Sequence, residues 1–270
     1  MKLLKYGCIV LGATLLIKHI FLPKGSPYMG WLYGAMLAAI VIPVALSRGA
    51  KAEEAEVYTT EEMEAVQAHI DHHFGTSHLV FHELISPDIH VDVCVIFPAE
   101  GRDYITLVTM GMGAHRMNVP QAAAGEFSPR AELLIYLPAD WKLDRESLQK
   151  ARWYWPIRWL KQMARLPGAT NSWLAPTHTL SGEDAKPIAP GSRLNSFVIG
   201  YPVTPEDSRA CTLPGGDSVH FYRLIPLYPE ELAFALKHGA RPLLSAIDQQ
   251  LPPPVSPTRP SLKLPPAQDE

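Results

Sequence analysis

The sequence predicts an α+β fold, a mixed, largely antiparallel sheet with flanking helices, preceded by an N-terminal transmembrane helical hairpin. Three observations carry that expectation. Residues 1–52 hold two apolar runs, six of the 24 basic side chains and none of the 27 acidic ones. From 78 to 137, short runs rich in Val, Ile, Leu and Phe follow one another between turn residues. Helical stripes stand before and after those runs.

Residues 28–46 contain no charge over 19 positions, close to the length that crosses a hydrocarbon core as a helix. The run at 6–22 is broken by Lys18 and His19, which can snorkel towards an interface. Pro23-Lys24-Gly25-Ser26-Pro27 is a tight connection, so both ends of the hairpin face one side. Lys2, Lys5, Arg48 and Lys51 then share that side, which places the acidic body in the cytoplasm at the inner membrane. If only the second run spans, Lys18 and Lys24 balance Arg48 and Lys51, and charge sets no orientation. Ala50-Lys51-Ala52 has the pattern of a cleavage site, but 52 residues exceed the ~15–30 of a signal peptide. Three scattered cysteines, Cys8, Cys94 and Cys211, with no CxxC pair argue against a disulfide framework or a cysteine zinc site.

The body begins at 53. Thr59-Thr60-Glu61-Glu62 caps a helix running to about Phe74, with Met63, Val66, Ile70 and Phe74 on one stripe and Gly75 as its stop. Runs at 78–85 and 90–97, separated by Pro87-Asp88, predict an antiparallel pair. Strands at 103–110 and 131–137 follow. The latter alternates Leu133, Ile135 and Leu137 against Glu132, Leu134 and Tyr136. Residues 144–165 read as helix, divided at Pro156 and ended by Pro167-Gly168. Strands at 196–201 and 218–225, a helix at 229–237 closed by Gly239, and one or two helical turns at 241–251 complete a domain over 53–250. Seven prolines between 251 and 270 predict a disordered, extended tail. No internal repeat is present.

The chemistry-bearing residues favour binding over catalysis. His69, His72 and His73 stand at i, i+3 and i+4, a spacing that can bring three imidazoles near one metal, with Asp71 as a further ligand. This is not HExxH, and a polar helix face is the competing reading. Thr109-Met110-Gly111-Met112-Gly113 lacks the GK[ST] ending of a phosphate loop, and its glycines suit a sharp turn or close backbone approach. No GxSxG elbow occurs, so hydrolase chemistry through a serine is unsupported. Trp153, Trp155 and Trp159 lie among Lys150, Arg152, Arg158, Lys161 and Arg165, a pattern that on a helix means indoles inward and charges outward. With an acidic body besides, no nucleic-acid partner is expected. Asp92 and Glu132 are acids among apolar neighbours. If buried they need partners, for which Arg116 or Arg130 could serve, and the alternative is an outward strand position.

Several phrases in one order, His69-Ile70-Asp71-His72-His73-Phe74-Gly75, His90-Val91-Asp92-Val93, Thr109 to Gly113, Arg130-Ala131-Glu132-Leu133 and Leu137-Pro138-Ala139-Asp140-Trp141, resemble the Suppressor-of-fused-like domain. Trp155-Pro156-Ile157-Arg158-Trp159-Leu160, the stretch around His178 and Pro226-Leu227-Tyr228-Pro229-Glu230-Glu231-Leu232 extend the resemblance over about 60–248. It implies a mixed α/β domain that binds proteins. The animal member contributes one lobe of a clamp around a transcription-factor peptide, and many bacterial members resemble immunity proteins that neutralise toxins. The animal protein's additional C-terminal lobe does not fit into 270 residues, and the membrane leader departs from the usual soluble bacterial form. The expectation is a membrane-anchored module that binds and inhibits a protein partner such as a toxin, without cofactor or catalysis. The candidate contact residues are Asp92, Glu132, Tyr136, Asp140, Trp141 and His178, forming an acidic surface for a basic partner. The competing class is a metal-dependent hydrolase using His69, His72 and His73.

Overall fold

A computed structural model describes residues 55–182, 186–203 and 206–264. The hairpin expected at 6–22 and 28–46 lies outside the described residues. Among the described residues no helix is long and apolar enough to cross a membrane.

The first helix, α1 (Thr60–His73), begins at the predicted capping box: Thr59 Oγ1 accepts from Glu62 N at 3.2 Å, and Glu62 Oε2 accepts from Thr59 N at 3.1 Å. Val66, Ile70 and Phe74 are buried, and the chain leaves the helix at Gly75, whose φ of +106° suits glycine. The strands are β1 (Leu79–Phe81), β2 (Asp92–Ile96), β3 (Tyr104–Met110), β4 (Ala131–Pro138), β5 (Thr179–Ser181), β6 (Ser196–Gly200), β7 (Ala210–Thr212) and β8 (Ser218–Leu227). They form one sheet in the order β1-β2-β3-β4-β8-β6-β5, with β7 beside β8. Every pairing is antiparallel except that of β4 with β8, so the expected mixed, largely antiparallel sheet is present.

The alternation read in β4 divides the core. Leu133, Ile135 and Leu137 join Val93, Val95, Leu107 and Leu224 on one face. Leu134 and Tyr136 join Cys94, Ile96, Val108 and Phe221 on the other, where α1 packs. Both faces are therefore dry, and each fully buried Val, Leu or Ile stabilises the fold by about 1.5–3 kcal/mol before entropic costs.

The first face is covered by α3 (Ala151–Thr170). Here the helix predicted to divide at Pro156 differs from the observed one. A short α2 (Arg145–Leu148), capped by Asp144, is separate, and α3 then runs through both Pro156 and Pro167 to Asn171 in the left-handed region. An interior proline costs about 3 kcal/mol. Trp155, Ile157, Leu160 and Ala164 are all buried against the sheet, and that packing outweighs the loss. On the second face α4 (Pro229–His238) and α5 (Ala240–Gln250) enclose a further cluster with Val198, Ile225 and Leu227.

Over 251–264 the structure differs from the disordered tail expected from 251, and 265–270 lie outside the described residues. Residues 251–264 form no helix or strand, as their prolines require, yet they are seated on the domain. Val255 N donates to Tyr136 O at 2.8 Å, and Val255 and Leu262 are each only 8% exposed. Arg259 reaches Glu231, which is fully buried in α4, with Nη1 at 2.7 Å from Oε1 and Nη2 at 2.5 Å from Oε2.

Candidate protein-interaction site

The six residues proposed as partner contacts do not form one surface. Glu132 and Tyr136 are buried in β4, Trp141 is 9% exposed, Asp140 lies on the surface after β4, Asp92 opens β2, and His178 precedes β5 at the opposite end of the sheet. The acidic surface expected from Asp92 and Glu132 is thus replaced by two internal arrangements.

The Glu132 carboxylate sits in a ring of donors. It accepts from Tyr58 Oη at 2.7 Å, Thr109 Oγ1 at 2.5 Å, Gly111 N at 2.9 Å and Gly113 N at 3.0 Å. Neither arginine suggested as its partner serves it. Arg130 donates to Glu62 at 2.6 Å and to the Gly113 carbonyl at 2.6 Å, while Arg116 pairs with Asp217. Burial outweighs the four hydrogen bonds and raises the Glu132 pKa. The glycines of the 109–113 motif let the backbone wrap this carboxylate. Gly111 has φ +116°, and a Cβ there would overlap the His90 carbonyl; at Gly113 it would overlap the Tyr58 hydroxyl.

Asp92 organises the β1–β2 connection. Its Oδ1 accepts from Glu83 N at 2.8 Å and lies 3.1 Å from His90 Nε2, and His82 Nδ1 stands 2.8 Å from Oδ2. Glu83 in turn accepts from Arg165 Nη2 at 2.5 Å and has Lys161 Nζ at 3.9 Å, so this loop is clamped to α3. Burial lowers the Lys161 pKa. His178 packs edge-on against Trp173 at 4.5 Å between ring centroids, and its pKa is lowered by burial.

The histidine cluster is a ring stack. His69 lies 4.7 Å from Phe221 and 4.4 Å from His73 between centroids, and its Nε2 is 3.0 Å from the Ser208 carbonyl. Burial lowers its pKa. Among the described residues no group of three or more His, Cys, Asp or Glu side chains is placed to hold a metal ion. The tryptophans turn inward as expected. Trp155 is fully buried, and Trp159 Nε1 donates to the Ile188 carbonyl at 2.9 Å.

An open strand edge beside a cleft lies instead at the end of the sheet. Among the described residues β1 pairs only with β2, so its outer edge carries backbone donors and acceptors with no described strand beside them. Leu79 and Phe81 of β1 form one wall of a cleft of about 480 Å³, with Leu143, Leu148 and Tyr154 opposite. Just past β1, Leu84 and Ile85 are 95% and 83% exposed. Arg145 lines the cleft, and Arg152 and Lys142 lie 4.7 and 5.8 Å from the Trp153 ring. Such an edge can accept an extended segment through main-chain hydrogen bonds while the cleft takes alternate apolar side chains. Sequence reasoning missed Leu84 and Ile85 because it continued the strand to 85. The chain leaves the sheet at Phe81, and the two apolar residues fall in the loop. The signal was their position between Glu83 and Pro87, outside any alternation.

The family profile for Suppressor of fused protein (SUFU) matches residues 87–260. A curated protein of Ureaplasma parvum serovar 3, Uncharacterized protein UU111, is 24% identical over 194 residues, covering 71% of this chain and 90% of that one. Among solved structures, a SUFU homologue from Neisseria gonorrhoeae FA 1090 superposes with a TM-score of 0.53 at 16% identity, covering 75% of this chain and 97% of its own. The Sufu–Fu complex gives 0.50 at 15%, covering 72% and 86%. Drosophila Suppressor of Fused gives 0.51 at 14%, covering 70% and 47%.

Proposed function

Because this chain belongs to the Suppressor of fused family, we propose that it is a membrane-anchored module that binds and inhibits another protein, such as a toxin. The observation that carries the binding role is the family match across 87–260, together with a shared fold in the Sufu–Fu complex, where a relative is seen with a partner. In this reading residues 1–52 hold the domain at the inner membrane on its cytoplasmic side. The partner offers an extended segment to the β1 edge, with apolar side chains for the Phe81 cleft. Arg145 in the lining of that cleft favours an acidic flank on the segment, the opposite polarity to the basic partner expected from Asp92 and Glu132. No reaction is proposed. The His69 ring is occupied by Ser208 and Phe221, which lends the metal-dependent hydrolase no support.

The test places a photo-crosslinking amino acid at Leu84, beside β1, and separately at exposed Ser181 on the opposite sheet edge. One discrete adduct from position 84, lost when Phe81→Asp polarises the cleft, supports the edge interface. Adducts from 181 alone relocate the interface, and no adduct from either position under native expression sinks it.

A further inference from the structure

The proline-rich tail roofs a cavity of about 380 Å³ whose floor is β8 and whose side wall is α5. That volume falls in the range of small-molecule sites. Its lining is aliphatic, with Leu224, Ile225, Ile247, Leu251 and Val255 among it, and Arg223 contributes a guanidinium. The Arg223 side chain is only 6% exposed. Its Nη2 donates to Asp248 Oδ1 at 3.0 Å, but its Nε is buried and has no hydrogen-bond partner among the described residues. Arg259, which also lines the cavity, is by contrast held by Glu231 and by the Pro226 carbonyl at 3.0 Å. A largely apolar chamber with an incompletely paired guanidinium in its wall is an incomplete hydrogen-bonding arrangement, because buried donors are otherwise almost always paired.

We infer that this cavity binds a small aliphatic carboxylate, its hydrocarbon body among Ile225, Ile247 and Val255 and its carboxylate on the Arg223 guanidinium. Charge selects the head group. A carboxylate on the guanidinium makes a charge-assisted hydrogen bond beside the existing Asp248 contact, whereas a hydroxyl makes a weaker bond and an ammonium is repelled. Asp248 is 62% exposed and engages only one of the η nitrogens, so the ligand need not displace it. The site is distant in topology from the β1 edge, since β8 and β1 are separated by β2, β3 and β4, and it does not depend on the partner-binding reading.

Octanoate, octanol and octylamine are titrated into the purified full chain by calorimetry, with [1-13C]octanoate followed by NMR. The expected result is one octanoate per chain, with octanol and octylamine weaker by about tenfold or more. Arg223→Met should weaken octanoate by a similar factor and leave octanol within about twofold. Val255→Phe, which fills the cavity from the tail and leaves Arg223 and Asp248 in place, should abolish uptake of both, and it keeps the inference testable if Arg223→Met does not fold. Equal binding of all three amphiphiles, no octanoate binding at millimolar concentration, or unchanged binding by a folded Val255→Phe chain overturns it.

Discussion

The Tyr58 hydroxyl donates to Glu132 Oε1 at 2.7 Å and so ties the segment before α1 to β4 in the centre of the sheet. Both groups are buried, so the bond is made away from competing water. Tyr58→Phe keeps the ring and removes one of four donors to the carboxylate. It should lower stability by about 1–3 kcal/mol in urea denaturation.

The same carboxyl sets a pH dependence. Its folded pKa is raised above the ordinary value of 4.5 by burial. Its contribution is therefore fully present below that value and is lost as pH rises through the raised one. Glu132→Gln cannot titrate, and its amide donors face Tyr58, Thr109 and two backbone N–H groups. The variant should be less stable by about 2 kcal/mol near pH 4.5, with the difference from the parent shrinking as pH is raised. A difference that grows with pH in denaturation curves would contradict the raised pKa.

Gly111 and Gly113 should respond differently to alanine. At Gly111 the added Cβ meets the His90 carbonyl, which is backbone, in a φ of +116° that L-residues rarely adopt. Gly111→Ala should cost about 2–4 kcal/mol. At Gly113 the obstacle is the Tyr58 hydroxyl, the end of a side chain. Gly113→Ala should cost less, and adding Tyr58→Phe should recover part of it, so that the two substitutions are non-additive in thermal unfolding.

Arg130 links α1 to the loop before β8. Its guanidinium holds Glu62 at 2.6 Å and Asp217 at 3.4 Å, and these contacts hold the Glu62 carboxyl below its ordinary pKa; Asp217 is lowered first by Arg116 and then by Arg130. A depressed carboxyl contributes stability above its ordinary pKa and loses it as pH falls through the folded value. Arg130→Met should therefore cost about 1–3 kcal/mol at neutral pH. Its denaturation midpoint should also fall less steeply than the parent's between neutral pH and about pH 3.

What the sequence made legible follows from range. The α1 capping box and the alternation of β4 are local patterns, and both appear where they were read. Strands β5 and β7 have three residues each, too few to show a period, and exist because β6 and β8 supply their partners. The break assigned to Pro156 failed because the local cost of proline is smaller than the burial of Trp155, Ile157 and Leu160 around it. Glu132 was recognised as an acid needing partners, but three of its four donors come from the turn at 109–113 and the fourth from Tyr58, 74 residues away. Leu84 and Ile85 were read into a strand that ends at Phe81, so they were expected to pack inward and stand exposed in the loop instead.

The tail was misread for a related reason: a run of prolines excludes helix and sheet but not packing. Glu231 is fully buried and accepts from Arg259, from Ser261 Oγ at 3.5 Å, from Leu262 N at 3.0 Å and from Tyr228 N at 2.9 Å, so three of its partners belong to the tail. Ending the chain at 250 leaves a buried carboxylate with its own capping contact and no cation. Removing one partner of a buried pair costs about 3–5 kcal/mol, whereas replacing both can be nearly neutral. Truncation at 250 and Arg259→Met should each lower the thermal midpoint markedly. Glu231→Gln combined with Arg259→Met should recover a large part of the loss, and an equal or deeper loss in the double variant would show that the tail stabilises the domain through Val255 and Leu262 rather than through this pair.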